Sequence, residues 1–147
     1  IFTKAVEHLE NGIMATFGAA LTTDSYAADS LRAAEALLEA QDSWNQERAG
    51  AGEPAIAVGV GVAVGSVVFG AIGDDSRLEY RVIGDVVNLA AKLERHTKVE
   101  LARALTTAAT LATAHSQGYS AAAEPEMRPA RQVAGVEDPV DLMILAG

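Results

Sequence analysis

The longest uncharged stretch of the chain, residues 55–73, is punctuated by Gly59, Gly61, Gly65, Gly70 and Gly73. A run of this length could cross a bilayer as a helix. Each of those glycines would weaken such a helix by about 1 kcal/mol relative to Ala. Val and Ile fill the positions between them, which suits a pleated surface. The pattern therefore predicts a buried strand over 56–62, a turn at Gly65 and Ser66, and a returning strand over 67–72, with no membrane span. Gly59-x-Gly61 with Gly65 beyond it is not the dinucleotide-binding spacing, and a second strand follows where a phosphate-binding helix would start.

The flanks read more simply. Phe2, Ala5, Val6 and Leu9 have helical spacing, so residues 2–10 are expected to end a helix. Residues 13–17 read as a short strand closed by Gly18. Asp24 or Ser25 can cap an amphipathic helix over 27–47, with Leu31, Ala34, Leu37, Leu38, Gln41 and Trp44 near one stripe. A Gly- and Pro-bearing loop precedes the central stretch. Asp74, Asp75 and Ser76 form the turn of a second hairpin, whose return strand is 78–83. A helix starts at Asp85 and runs to about His96 or Thr97. Residues 101–105 read as a strand, with helix left open by their alanines; 107–116 read as helix. Residues 117–129 read as a connection. Gln132-Val133 and 140–145 are the closing edge strands, around a turn at 135–139.

No internal repeat or low-complexity linker divides the chain, so 1–147 is expected to be one domain. Half the residues are hydrophobic and only 5% aromatic, so the core must be aliphatic. With no cysteine, disulfides and thiolate metal sites are excluded, and a reducing, cytoplasmic setting is permitted. A net charge of −9 argues against a nucleic-acid surface. An anionic substrate would need a local positive pocket against that field. The opening Ile1-Phe2-Thr3-Lys4 has no signal-peptide pattern, and the chain is read as starting inside a larger protein.

Two blocks carry more information than the periodicity. The first is Gly65-x-Val67-x-x-Gly70-x-Ile72-Gly73. The second is Arg77-x-Glu79-Tyr80-x-Val82-Ile83-Gly84-Asp85-x-Val87-Asn88-Leu89-Ala90-Ala91-x-Leu93-Glu94. Together they resemble the C-terminal half of the class III nucleotide cyclase domain, the family of the adenylate and guanylate cyclases. The resemblance is dense over these forty or so residues and weaker towards both ends. It implies an α+β fold, an antiparallel-dominated ferredoxin-like sheet with helices packed on one face. It also implies a head-to-tail dimer with active sites at the interface, and a nucleoside triphosphate substrate with Mg or Mn.

Members of that family cyclise the triphosphate by attack of its 3′-hydroxyl on the α-phosphate, chemistry dominated by positioning and charge stabilisation. Two Asp side chains hold the divalent cations. The resemblance puts the first on a strand earlier than this chain begins, and the second at Asn11, whose amide oxygen carries no charge. Asn-Gly at 11–12 is equally a plain tight turn. The family's transition-state pair, an Asn and an Arg four residues apart, corresponds to Asn88 and Lys92. The i, i+4 spacing puts them on one helical face, although Lys is a point charge where Arg is a planar fork. Asn88 would orient the ribose and Lys92 would meet the α-phosphate; otherwise they are one polar residue and one solvated Lys. Base selection in adenylate-specific relatives maps to Glu7 and Arg81, with the charges inverted. These two could read a base, or pair with each other and close the pocket. Many relatives carry a basic residue before the Gly of the closing turn, where this chain has Ala134. His8, His96 and His115 lack metal-ligand spacing and are read as surface or half-buried residues.

Three functions are compatible with these residues. One is a cyclase domain, weak or inactive alone, acting as a homodimer or as the Asn88/Lys92 half of a heterodimer with a metal-competent cyclase domain. The second is a degenerate cyclase-homology domain that binds nucleotide or a partner and regulates. The third is a ligand-free dimerisation module.

Overall fold

The computed structural model describes residues 4–9, 12–74 and 77–147. In chain order the elements are β1 (Lys4–Leu9), β2 (Gly12–Phe17), α1 (Tyr26–Gly50), β3 (Val60–Val62), β4 (Val68–Asp74), β5 (Arg77–Ile83), α2 (Asp85–Glu100), β6 (Ala104–Thr107), α3 (Ala108–Ser116), β7 (Glu126–Arg131) and β8 (Val140–Ala146). The fold is α+β and mostly antiparallel. A four-stranded sheet has the order β3-β6-β8-β7, while β1-β2 and β4-β5 are two-stranded hairpins. Only β3 and β6 pair in parallel among the described strands.

Both faces of the four-stranded sheet are covered, as the alternation along β8 shows. Met143 packs with Leu31 and Ala34 of α1 and Leu111 and Ala114 of α3. Its neighbours Leu142 and Ile144 pack instead with Leu93 of α2, together with Leu105 and Val133. The expectation of helices on one face is thus corrected: α1 and α3 lie on one side and α2 on the other. Period-two side-chain alternation in a central strand requires two apolar layers when every position is apolar.

Three local expectations are also corrected. Residues 4–9 are a strand, not the end of a helix. Leu9 and Gly12 are register partners, and the ladder to β2 overrides helical apolar spacing. The segments 56–62 and 67–72 do not pair with each other. Instead Gln41 Nε2 and Asn45 Nδ2 of α1 donate to Ile56 O, and Ile56 N donates to Asn45 Oδ1, so α1 side chains hold the approach to β3. Beyond β3, Val64 N donates to Thr110 Oγ1, which steers the chain away from a return hairpin. Finally, β7 starts at Glu126 and contains Pro129, within the stretch expected to be a connection. Pro129 is tolerated there because β7 is an edge strand interrupted by a bulge between Arg128 and Arg131.

Helix α1 buries Leu31, Ala34, Leu38 and Gln41 as expected, but Leu37 and Trp44 are 48% and 50% exposed. They sit on the neighbouring stripe of the helix, where the Trp44 ring carries the Arg48 guanidinium 5.5 Å from its centroid. Ser25 occupies the N-cap, yet its hydroxyl donates to Asp29. The free amides of Ala27 and Ala28 are capped from afar by Gln117 Oε1. Arg103 ties α1 to the sheet through Asp42 and Gln41. No helix among the described residues is long and apolar enough to cross a membrane, and the stretch 55–73 runs through β3 and β4 rather than one helix.

Candidate functional site

Helix α2 lies unusually close to β3, and glycine is the reason. Along β3, Val60 and Val62 face the α1 side, so Gly61 faces α2. A Cβ at Gly61 would lie under 3.0 Å from Ala90 O and Glu94 N, both backbone atoms of α2. A Cβ at Gly59 would lie 2.8 Å from Thr97 Oγ1, and one at Gly65 3.0 Å from Val86 Cβ, both side-chain atoms of α2. The glycines read from sequence as strand punctuation therefore form the bed of the helix.

On that bed Leu89 and Leu93 point into the sheet. Asn88 is exposed and Lys92 half-buried, one turn apart and aside from the packed face. Lys92 Nζ donates to Gly135 O at 2.5 Å. Gly135 has φ +81 and follows Ala134 in a turn closed by Val136 N donating to Val133 O. That is the conformation type II turns reserve for Gly at their third position. Gln132 Nε2 adds a bond to Val136 O, and buried Val133 pins the turn beside Leu93. Lys92 of α2 thus brings a cation to the turn formed by Ala134 and Gly135.

The other expected site residues are placed by backbone alone. Glu7 lies on β1 opposite Met14, and Arg81 on β5 opposite Gly70. They belong to separate hairpins, and their side chains are outside the described part of the structure. Asn11 lies outside the described residues. Among the described residues there is no group of three or more His, Asp or Glu placed to hold a metal. Among the described residues the divalent cations implied by the resemblance find no fitting donor set, and no step is assigned to them.

Of the histidines, His115 is exposed and stacks on Tyr119, with centroids 6.1 Å apart. His96 is 7% exposed, so the expectation of a surface or half-buried residue is corrected. Its Nε2 donates to Glu100 Oε1, because a carboxylate can only accept. The position of His8 gives no side-chain information. Tyr119 is buried and donates to Glu35 Oε1 at 2.7 Å; burial first, then the Glu35 bond and charge, push its phenol above the usual range. It lies on the α1–α3 face, away from Asn88.

The family model for the adenylate and guanylate cyclase catalytic domain matches residues 3–134, and the chain belongs to that family. It is 38% identical over 96 residues to an adenylate cyclase of Anabaena cylindrica, covering 63% of this chain and 18% of that protein. It is 30% identical over 88 residues to adenylate cyclase 1 of Rhizobium meliloti (strain 1021), covering 60% and 13%. The chain thus spans less than a fifth of the length of these curated relatives. Among solved structures it resembles the guanylyl cyclase Cya2, with TM-score 0.77, 26% identity, and coverage of 95% of this chain and 68% of that one. The fold also matches the adenylyl cyclase CyaB from P. aeruginosa, with TM-score 0.74, 17% identity, and coverage of 95% and 70%.

Proposed function

We propose that this chain is the transition-state half of a nucleotide cyclase that is weak or silent alone and is completed by a second, metal-competent cyclase domain. The observation that carries this reading is Asn88, exposed one helical turn before Lys92 on the part of α2 turned away from the sheet. In the reaction, the 3′-hydroxyl oxygen of a nucleoside triphosphate bonds to the α-phosphorus, the bond to pyrophosphate breaks, and the hydroxyl proton passes to water. Asn88 orients the ribose so that the hydroxyl lies in line. Lys92 leaves the neutral Gly135 carbonyl for the developing charge on the α-phosphate, a stronger acceptor. The resemblance assigns base selection to the positions of Arg81 and Glu7.

A head-to-tail dimer is part of the proposal, and the β4–β5 hairpin supports it. Its strands pair only with each other among the described strands. Its cross-strand partners Val68 and Ile83 are 70% and 52% exposed. A lone two-stranded hairpin is marginal in water, so an apolar pair at its base suits contact with a partner domain.

The test is a cyclase assay on the chain alone, then mixed with a cyclase domain that keeps both metal carboxylates but has lost its own Asn. Turnover only in the mixture, lost with Asn88→Ala, supports the proposal. Robust turnover by the unmodified chain alone overturns it. A second reading, a regulatory nucleotide-binding domain, is favoured by the departures at Glu7, Asn11, Arg81 and Lys92; nucleotide binding with silence in every mixture would leave it in front.

A further inference from the structure

We infer that Glu100 is a positioning residue: with Arg128 and Arg131 it fixes the axial and rotational setting of α2, and so the placement of Asn88 and Lys92. This rests on the reading of those two residues given above. Glu100 is the last residue of α2, and its side chain is 6% exposed. Three cationic or donor groups converge on that one carboxylate. His96 Nε2 is 3.2 Å from Oε1, Arg131 Nε is 3.1 Å from Oε1, and Arg128 Nη1 is 3.6 Å from Oε2. Arg131 Nε makes no hydrogen bond, so that contact is an ion pair without directional alignment.

The two arginines reach one carboxylate only because β7 is irregular. Residues three apart on a regular strand point to opposite faces. Here Arg128 pairs with Leu142 and Arg131 with Val140, so two residues of β7 face one of β8. Leu142 and Val140 lie on the α2 face. The bulge therefore turns both arginines towards α2. It is held by Ala130, at φ +49, whose N donates to Asp141 Oδ1. On the other side of the cluster, Leu101 ends α2 at φ +54 while 87% exposed. Among the described residues these are the two non-glycines in the left-handed region. Both border Glu100 and its arginines: Leu101 ends the helix in the usual left-handed cap, with Ala102 N donating to Thr97 O, and Ala130 shapes the bulge.

Stability alone is a poor account of the cluster, since apolar packing commonly stabilises as well as a buried ion cluster. What the charges add is a fixed point of attraction: the buried carboxylate at the end of α2 is held near two cations on β7. The apolar seat of Leu93 and Leu89 tolerates a small slide or rotation of α2, whereas moving the buried Glu100 carboxylate away from Arg131 at 3.1 Å and Arg128 at 3.6 Å, the latter also bonded to Glu126, would leave its charge uncompensated. A helix moves as a rod, so a shift at its last residue reaches Asn88 three turns away.

The experiment uses the purified chain, alone and with the metal-competent partner domain. Amide hydrogen exchange along α2 is compared for wild type, Glu100→Gln, Arg131→Gln and Arg131→Lys. Positioning predicts that Glu100→Gln and Arg131→Gln increase exchange throughout residues 88–92 as well as in the last turn, at unchanged protection of α1, and that Arg131→Lys restores it. In the mixture, Glu100→Gln should lower kcat about tenfold to a hundredfold with KM nearly unchanged, the cost of misplaced reacting groups. Increased exchange confined to residues 97–101 would show a local anchor only and overturn the inference. If no mixture turns over, the proposed function fails, while the exchange pattern still decides the role of Glu100. Should Glu100→Gln fail to fold, the Arg131 pair carries the same comparison.

Discussion

Lys92 on α2 donates its ammonium to the carbonyl of Gly135, forty-three residues further along the chain. The same lysine stem fills the space a side chain at 135 would need: a Cβ there would lie 3.0 Å from Lys92 Cε. Gly135 also sits at φ +81. Gly135→Ala is therefore expected to cost about 1–2 kcal/mol from the left-handed backbone alone, with displacement of Lys92 in addition. Chemical denaturation reads the loss directly. An unchanged midpoint would mean the turn can adopt another conformation at no cost.

Gly61 offers a harsher version of the same argument. The atoms a methyl would meet are Ala90 O and Glu94 N, backbone of a helix interior. They cannot rotate away, so α2 must lift from β3. Gly61→Ala is expected to destabilise by about 3 kcal/mol, the upper end of overpacking costs. Gly70→Ala, whose Cβ meets nothing within 4 Å, is the control and should be near neutral. Equal midpoints for the two variants would refute the close packing of α2 on β3.

How much of this was legible follows from which interactions are local. Helix α2 was readable because Asp85, the Asn88/Lys92 spacing and Leu89/Leu93 lie within a few turns of one another. The antiparallel pairing of β4 with β5 was readable for the same reason. Strand β1 was not, because Phe2, Ala5, Val6 and Leu9 mimic a helical stripe and only the ladder to β2 decides between the two. The reason for Gly61 was invisible too: its partner is thirty residues downstream. The Glu100 cluster needed the bulge at Ala130, which depends on how β7 and β8 register. Gln117 capping α1 is likewise a contact between segments some ninety residues apart.

Tyr119 gives a pH prediction with a definite sign. Burial and the Glu35 carboxylate raise its folded pKa above that of a free phenol, near 10. The folded state therefore holds the phenolic proton more tightly than the unfolded state. The stability this contributes is fully present below about pH 10 and is lost as pH rises above it. Denaturation midpoints at pH 8 and pH 11 should fall more steeply for the wild-type chain than for Tyr119→Phe. Equal slopes would remove Tyr119 as the cause. At pH 8 the variant should lose about 1 kcal/mol with the Glu35 bond.

The exposed pair Val68 and Ile83 predicts the route of association. Placing a charge on this base, as in Val68→Lys or Ile83→Glu, should weaken the proposed dimer at least about tenfold, the equivalent of roughly 1.4 kcal/mol. Sedimentation across micromolar concentrations measures it. A dimer unaffected by both substitutions would move the interface away from the β4–β5 hairpin.

Lys92 supplies the prediction that separates catalysis from folding. Its bond to Gly135 is partly exposed and joins a cation to a neutral carbonyl, so Lys92→Met should cost no more than about 1 kcal/mol of stability. Its proposed partner in the reaction is the charge growing on the α-phosphate, shielded from water at a dimer interface. There a charged donor is worth about 3–4 kcal/mol, or a hundredfold to a thousandfold in rate. In the active mixture Lys92→Met should thus lose at least about a hundredfold in kcat while barely moving the denaturation midpoint. Lys92→Arg should raise kcat above the native value, because the guanidinium offers phosphate two parallel donors where the ammonium offers a point charge. The comparison is made by steady-state kinetics on the three proteins at one partner concentration, with nucleotide affinity measured separately. If Lys92→Met keeps its rate, the lysine serves only the Gly135 turn, and the charge on the phosphate must be met from elsewhere in the dimer.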